Sequence, residues 1–338
     1  MDRSTEPTHF EALPVDFPER DRVLMTASCR DCDSIGKVPE AGQQFNSSGG
    51  SYQLMHNGVK VVSGGYHGVW MAEIILRLQG HHEPQEERVF HEILQHVPAR
   101  STMLELGGFW SYYSLWFQHE IAGASNFIVE PDPHNLEIGR RNFRLNQRDG
   151  NFSQFAIGDV SRMIQFQCES DCQGRSVQQT SVDDFAREQG IEFIDLLHAD
   201  IQGYELQMLE GMKHLIQQGR IRFVFVSTHH HSISGDPLTH QKCRRFLVDA
   251  GGCLLVDHSV AESFSGDGLL VASFDHGDAQ ISVPISYNRA SCSLFPEVEY
   301  DLAAAWEKLG QLKSVSVPSH RSWWRFLPFS DHPAHALD

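Results

Sequence analysis

Glu105 stands two residues before Gly107-Gly108, at the end of the apolar run Thr102-Met103-Leu104-Glu105-Leu106. Glu130 closes the next apolar run, Phe127-Ile128-Val129. In a doubly wound α/β sheet, the turn after the first strand lets a ligand approach the backbone. An acid ending the second strand can accept hydrogen bonds from two ribose hydroxyls. The pair therefore points to a nucleoside-cofactor site. A ligand-free strand-turn-helix is the alternative for the glycine turn taken alone, because short motifs also match by chance.

The acid before the turn narrows the choice of nucleoside. A dinucleotide fingerprint would read G-x-G-x-x-G and face a pyrophosphate with its helix N-terminus. Here the turn reads Glu105-x-Gly107-Gly108-x-x-Ser111. A carboxylate at that place repels a pyrophosphate but suits a ligand carrying an ammonium and a sulfonium, as S-adenosylmethionine does.

A second set of reactive residues lies downstream. Asp195-Leu-Leu-His198-Ala-Asp200 ends a strand with a histidine and an acid two apart, hence on one face. In such sheets ligands bind beyond the carboxyl ends of the strands. Capping of the following helix is the structural alternative for Asp200. The next strand runs into His229-His230-His231. Methyl transfer to a hydroxyl requires loss of the hydroxyl proton, and a histidine near its ordinary pKa of roughly 6.5 is suited to take it. His229, the first residue past the apolar strand, is the expected base, with His230, His198 and Asp200 as further catalytic candidates. A divalent metal held by Asp200 and histidines is the competing reading, and inert surface histidines are a third. His81-His82-Glu83-Pro84-Gln85-Glu86-Glu87 reads equally as a lid over the cofactor and as a solvated helix start.

The elements that must position these groups follow from periodicity. Residues 1 to about 45, with Pro7, Pro14, Pro18 and Pro39, read as loops. A hairpin is predicted over 52–55 and 59–62, turning at Asn57-Gly58. Helices follow at 70–78 and 86–96. From 102 to 274 strands and helices alternate, the mark of a parallel sheet. Strands are predicted at 102–106, 126–130, 152–157, 193–199, 222–228, 253–257 and 268–274. Helices are predicted near 111–120, 134–147, 182–189, 204–217 and 237–251. The last two strands share no helical connection and so form an antiparallel pair. The division is an N-terminal α+β extension (1–100), a cofactor-binding domain (101–275) and a C-terminal helix and tail (276–338).

Composition bounds the function classes. The 338 residues are 41% hydrophobic and 10% aromatic, enough for a full core. Acidic residues number 44 against 27 basic ones, a formal charge of −17. Without a basic stripe, a nucleic-acid partner is not expected. No apolar run approaches the roughly 20 residues that span a bilayer, and Met1 to Pro7 has no apolar leader core. No membrane association and a cytoplasmic location are therefore expected. Seven cysteines, an odd number, argue against a complete disulfide framework. Cys29-x-x-Cys32 and the Cys168/Cys172 pair could in principle build a zinc site, but the expectation is reduced, structural thiols and no resident metal.

Several motifs in one fixed order carry a resemblance. Glu105-Leu-Gly-Gly, Glu130-Pro-Asp-Pro, Asn142 with Asn146, Thr180-Ser-Val-Asp-Asp-Phe185, Ile194 to Glu205 and Leu209-Glu-Gly-Met together resemble the FkbM-type S-adenosylmethionine-dependent methyltransferases. The match spans about residues 100 to 275. It implies the class I methyltransferase (Rossmann-like) fold, a seven-stranded sheet with an antiparallel last strand. It further implies Glu105, Gly107 and Gly108 near the methionine half, Glu130 and Pro131 at the ribose, Asp159 at the adenine amine, and Asp200 beside the cofactor. Tyr112 and Tyr113, at the start of the first long helix, either touch the methionine half or pack on the sheet. Ser111 replaces a third glycine, His198 a lysine and Gln202 a glutamate. The acceptor implied is a hydroxyl on a small molecule or saccharide. An inactive methyltransferase-like binding module is the alternative function.

Overall fold

A computed structural model of the chain describes residues 19–47, 49–288 and Leu309. The expected loops at Pro7, Pro14 and Pro18, and the helix expected around 300–312 apart from Leu309, lie outside the described residues. The N-terminal part holds α1 (Arg20–Ser28), β1 (Gln44–Ser47), β2 (Gly50–Leu54), β3 (Lys60–Val62), α2 (Val69–Arg77) and α3 (Pro84–Leu94). The hairpin forms as predicted, with Tyr52 opposite Val62 and Leu54 opposite Lys60. The long loop expected before it contains α1 and β1 instead. Val23 and Thr26 of α1 are buried, the helix packs on α2, and Thr26 Oγ1 donates to the Phe264 carbonyl at 2.9 Å. Tertiary contact rather than periodicity makes that helix.

The main sheet is then built in alternation: β4 (Thr102–Leu106), α4 (Tyr112–Glu120), β5 (Ser125–Val129), α5 (Pro133–Leu145) and β6 (Asn151–Ser153). An excursion follows: β7 (Ala156–Ile157), β8 (Arg162–Gln167) and β9 (Gly174–Thr180). The chain continues with α6 (Val182–Glu188), β10 (Ile194–Ala199), α7 (Glu205–Glu210), α8 (Lys213–Gln217) and β11 (Ile221–Thr228). It closes with α9 (His231–Ser234), α10 (Thr239–Asp249), β12 (Cys253–His258) and β13 (Gly268–Ser273). The seven-stranded sheet runs in the order β12-β13-β11-β10-β4-β5-β6. All neighbours are parallel except β13, which is antiparallel to both β11 and β12. This is the class I methyltransferase arrangement. The strand predicted at 152–157 splits, because Ala156 and Ile157 leave the main sheet and pair with β9.

Alternation along the strands sorts the two cores. Met103, Leu196, Phe223 and Phe225 face one way and pack with Phe90, Ile93 and Trp116 of α3 and α4. Leu104, Leu106, Leu197, Val224 and Val226 face the other way, onto Phe185, Met208 and Leu209. The N-terminal part therefore shares the first core with the sheet. Glu105 and His198, aligned in register across β4 and β10, fall on that covered face. The strand order reverses between β4 and β10, where such sheets open a crevice. Among the described residues no helix is long and apolar enough to cross a membrane.

Candidate active site

A cleft opens at that reversal, the place where ligands bind in open α/β sheets. Its floor is Glu105, Gly107, Gly108 and Phe109 after β4, Glu130 and Pro131 after β5, and His198 and Asp200 at the end of β10. Tyr113 from α4 lines it too. Seven of the eight expected cofactor residues thus share one cavity. Asp159 does not: it is exposed beyond β7, and Ala156 and Ile157 form that wall.

Glu130 is buried, with Oε2 accepting from the Phe109 N–H at 3.1 Å and Oε1 from the Asp132 N–H at 2.8 Å. Burial pushes its carboxyl up to about 8. Each oxygen retains a lone pair for a further donor, which fits a ribose hydroxyl pair. Glu105 accepts from the Ser114 N–H at 3.2 Å, and burial pushes it up to about 7. An ammonium beside Glu105 would restore its charge. The donor set fits S-adenosylmethionine.

The backbone around the cleft is strained. His67, Phe109, Ser111 and Gln202 all adopt positive φ without being glycine, a conformation that clusters at functional sites. Ser111, in place of the family's third glycine, takes φ +57° and is fully buried.

The His81-to-Glu87 segment is not a solvated helix start: every one of its residues is buried. His82 and Glu83 line the cleft. Glu87 receives the His82 N–H at 2.7 Å, and the His82 ring lies 2.5 Å from Glu87 and 3.3 Å from Glu83. Burial opposes the charge on His82, but these two carboxylates carry it up to about 10. The Tyr113 hydroxyl donates to Glu83 at 3.2 Å. His198 Nε2 lies 2.6 Å from Glu86 Oε1, and the Ser227 hydroxyl donates to the same carboxyl. Burial raises Glu86; burial opposes the charge on His198, but Glu86 beside it raises His198 on balance.

The strand-end histidines sit elsewhere. His229 is buried outside the cleft lining, with Nδ1 2.7 Å from Glu205 and Nε2 3.0 Å from Asp200. Asp267 stands 3.7 Å from the same nitrogen. Burial opposes protonation, but Glu205, Asp267 and Asp200 hold His229 well above its usual range. It is an imidazolium clamp between β10 and β11 and lacks the free lone pair a base needs. Because Glu205 and Asp200 occupy opposite ring nitrogens, these three cannot share one ion. His230 caps α9, accepting from the Ser232 N–H at 3.3 Å, and also lies outside the lining. Asp200 caps no helix: α7 starts after Tyr204, and Gln202 donates to Asp200 at 3.2 Å.

Tyr66 and His67, which the sequence did not single out, form the roof. The paired asparagines explain their placement. Asn142 Oδ1 accepts from the Val62 N–H at 2.7 Å while its Nδ2 donates to the Trp110 carbonyl at 2.8 Å. Asn146 brackets Lys60, accepting from its N–H at 2.9 Å and donating to its carbonyl at 2.7 Å. Both thus satisfy the free edge of β3 and hold the loop that follows it over the cleft. His67 differs from the other cleft histidines: burial, then Arg22, lowers its pKa, so the ring is neutral near pH 7. A histidine set among Gly64, Gly65 and Gly68 was the available signal.

Residues 92–252 match the family described as Methyltransferase FkbM domain. The chain carries an FkbM methyltransferase domain. No curated protein matches the chain in sequence. Among solved structures, it is similar to a precorrin-6y C5,15-methyltransferase from Geobacter metallireducens, at 14% identity over 56% of this chain and 87% of that one, TM-score 0.37. TrmK of M. capricolum in complex with S-adenosyl-homocysteine shows 9% identity over 67% and 85%, TM-score 0.37. An O-methyltransferase from Bacillus cereus in complex with SAH shows 16% identity over 56% and 80%, TM-score 0.37. The FkbM domain, with the cleft's own donors, marks the chain as a methyltransferase of the S-adenosylmethionine-dependent kind.

Proposed function

We propose that the protein methylates a hydroxyl group of a small molecule or saccharide, with His67 as the base. The observation that carries this reading is protonation: His82 and His198 are held charged by carboxylates, whereas His67 alone of the three cleft histidines is lowered. When bound, S-adenosylmethionine supplies a methyl group activated by its sulfonium charge. Glu130 would receive the ribose hydroxyls, and Glu105 with Asp200 would meet the positive charge of the methionine half. The walls from Tyr66, Phe109 and Trp110 exclude water, which strengthens those contacts. His67 would take the proton of the acceptor hydroxyl as that oxygen is methylated. Glu169, 3.8 Å from His67 Nδ1, stabilises the resulting imidazolium, so Nε2 is the nitrogen that takes the proton.

The test is transfer of methyl-labelled S-adenosylmethionine to a panel of polyols, saccharides, amines and carboxylates. The expected label is an ether, stable to mild base. Label in an amine or in a base-labile ester would contradict the hydroxyl reading. Tight cofactor binding with no transfer to any acceptor would favour a binding module.

A further inference from the structure

Behind the cleft wall, Cys32, His81 and Glu87 converge, with one ligand atom of each lying within 4.8 Å of the other two. All three are buried, Cys32 at 3% exposure and the others at 0%. Among the described residues this is the one group of three metal-ligating side chains that meets that spacing. His81 Nδ1 faces Glu87 Oε2 and bonds to it, so Nδ1 is the nitrogen that can share an ion with that carboxylate; Nε2, on the other side of the ring, has no hydrogen-bond partner. The Cys32 thiol reaches only the Pro84 carbonyl, at 3.1 Å. Cys29, three residues earlier, is a second buried thiol near Cys32.

We propose that Cys32, His81 and Glu87 form a zinc site that fastens the segment after α1 to the start of α3. A thiolate, an imidazole and a carboxylate are a donor set for that borderline-soft ion. Zinc–ligand bonds of about 2.0–2.3 Å put tetrahedral ligand atoms roughly 3.3–3.8 Å apart, so His81 Nδ1 and Glu87 Oε2, which now hydrogen-bond to each other, would part to admit the ion while the Cys32 thiol closes on it. The thiolate and the carboxylate together neutralise the divalent charge, and the thiol proton leaves to solvent on binding. Glu87 also holds His82, so the ion would stiffen the wall that faces the cleft.

The full-length chain, purified without chelator, is expected to contain stoichiometric zinc by elemental analysis. Replacement by cobalt should give a thiolate-to-cobalt charge-transfer band. Cys32→Ser should lose that band and the bound metal, while Cys172→Ser, at an exposed thiol, should keep both. Zinc retained by Cys32→Ser would overturn the proposal. If Cys32→Ser fails to fold, the wild-type chain decides alone. Absence of metal and no cobalt uptake, or a cobalt spectrum without the thiolate band, would overturn it.

Discussion

His67→Asn is expected to slow methyl transfer by about 10²–10⁴-fold, the usual contribution of a general base, while cofactor affinity stays near wild type. Asparagine tolerates the left-handed backbone of this position, φ +47°, so the substitution removes the basic nitrogen without demanding a new turn. The pH profile supplies a second readout. The folded pKa of His67 is lowered from 6.5 by burial, so the wild-type rate should rise on an acid limb below that value and stay flat above it. The limb should vanish in His67→Asn. If His229 were the base, the limb would be alkaline instead, because its carboxylate partners hold the proton to high pH. A wild-type rate in His67→Asn would remove the residue from the chemistry.

Gly107→Ala is expected to destabilise the fold by about 3 kcal/mol or more, or to prevent folding. Gly107 adopts φ +73°, and a Cβ there would lie 1.7 Å from the Asp200 carbonyl oxygen. That oxygen belongs to the backbone at the end of β10 and cannot move without parting β4 from β10. The sequence suggested a different reason for glycine here, that the turn lets a ligand approach the backbone, in which case a side chain would fill the ligand's space. Urea unfolding separates the two. A variant with wild-type stability that binds no cofactor would favour the space-filling account.

Glu105, Glu130 and Asp200 were legible because each ends a strand, and strand periodicity fixes where such a residue points. The protonation of His229 was not legible. It depends on Asp200, Glu205 and Asp267, which reach the ring from three separate segments. A strand-end position gives a histidine its location but not its charge. Asp159 followed from resemblance alone, and the departure of Ala156 and Ile157 from the main sheet leaves it exposed. Tyr66 and His67 were invisible because a loop reaches the cleft only when Asn142 and Asn146 tie β3 down. The spacing of those asparagines carries the motif but not the tie to β3, which only the fold creates. The His81-to-Glu87 segment looked solvated because it is dense in acids, yet its charges are paired internally with buried histidines. The helix α1 escaped notice because its inward face offers little more than Val23 and Thr26.

The central claim is that this cleft holds S-adenosylmethionine through Glu130 and its neighbours. Calorimetric titration of S-adenosylhomocysteine into the wild-type chain and Glu130→Ala tests it most directly. The variant is expected to bind more weakly by about 1.5–3 kcal/mol, the range for a lost charge-assisted hydrogen bond. Because burial sets Glu130 at about 8 in the free protein, wild-type affinity should fall as pH drops from about 8 to about 6, and should fall less in the variant. Equal affinity and equal pH dependence in a folded Glu130→Ala would contradict the account.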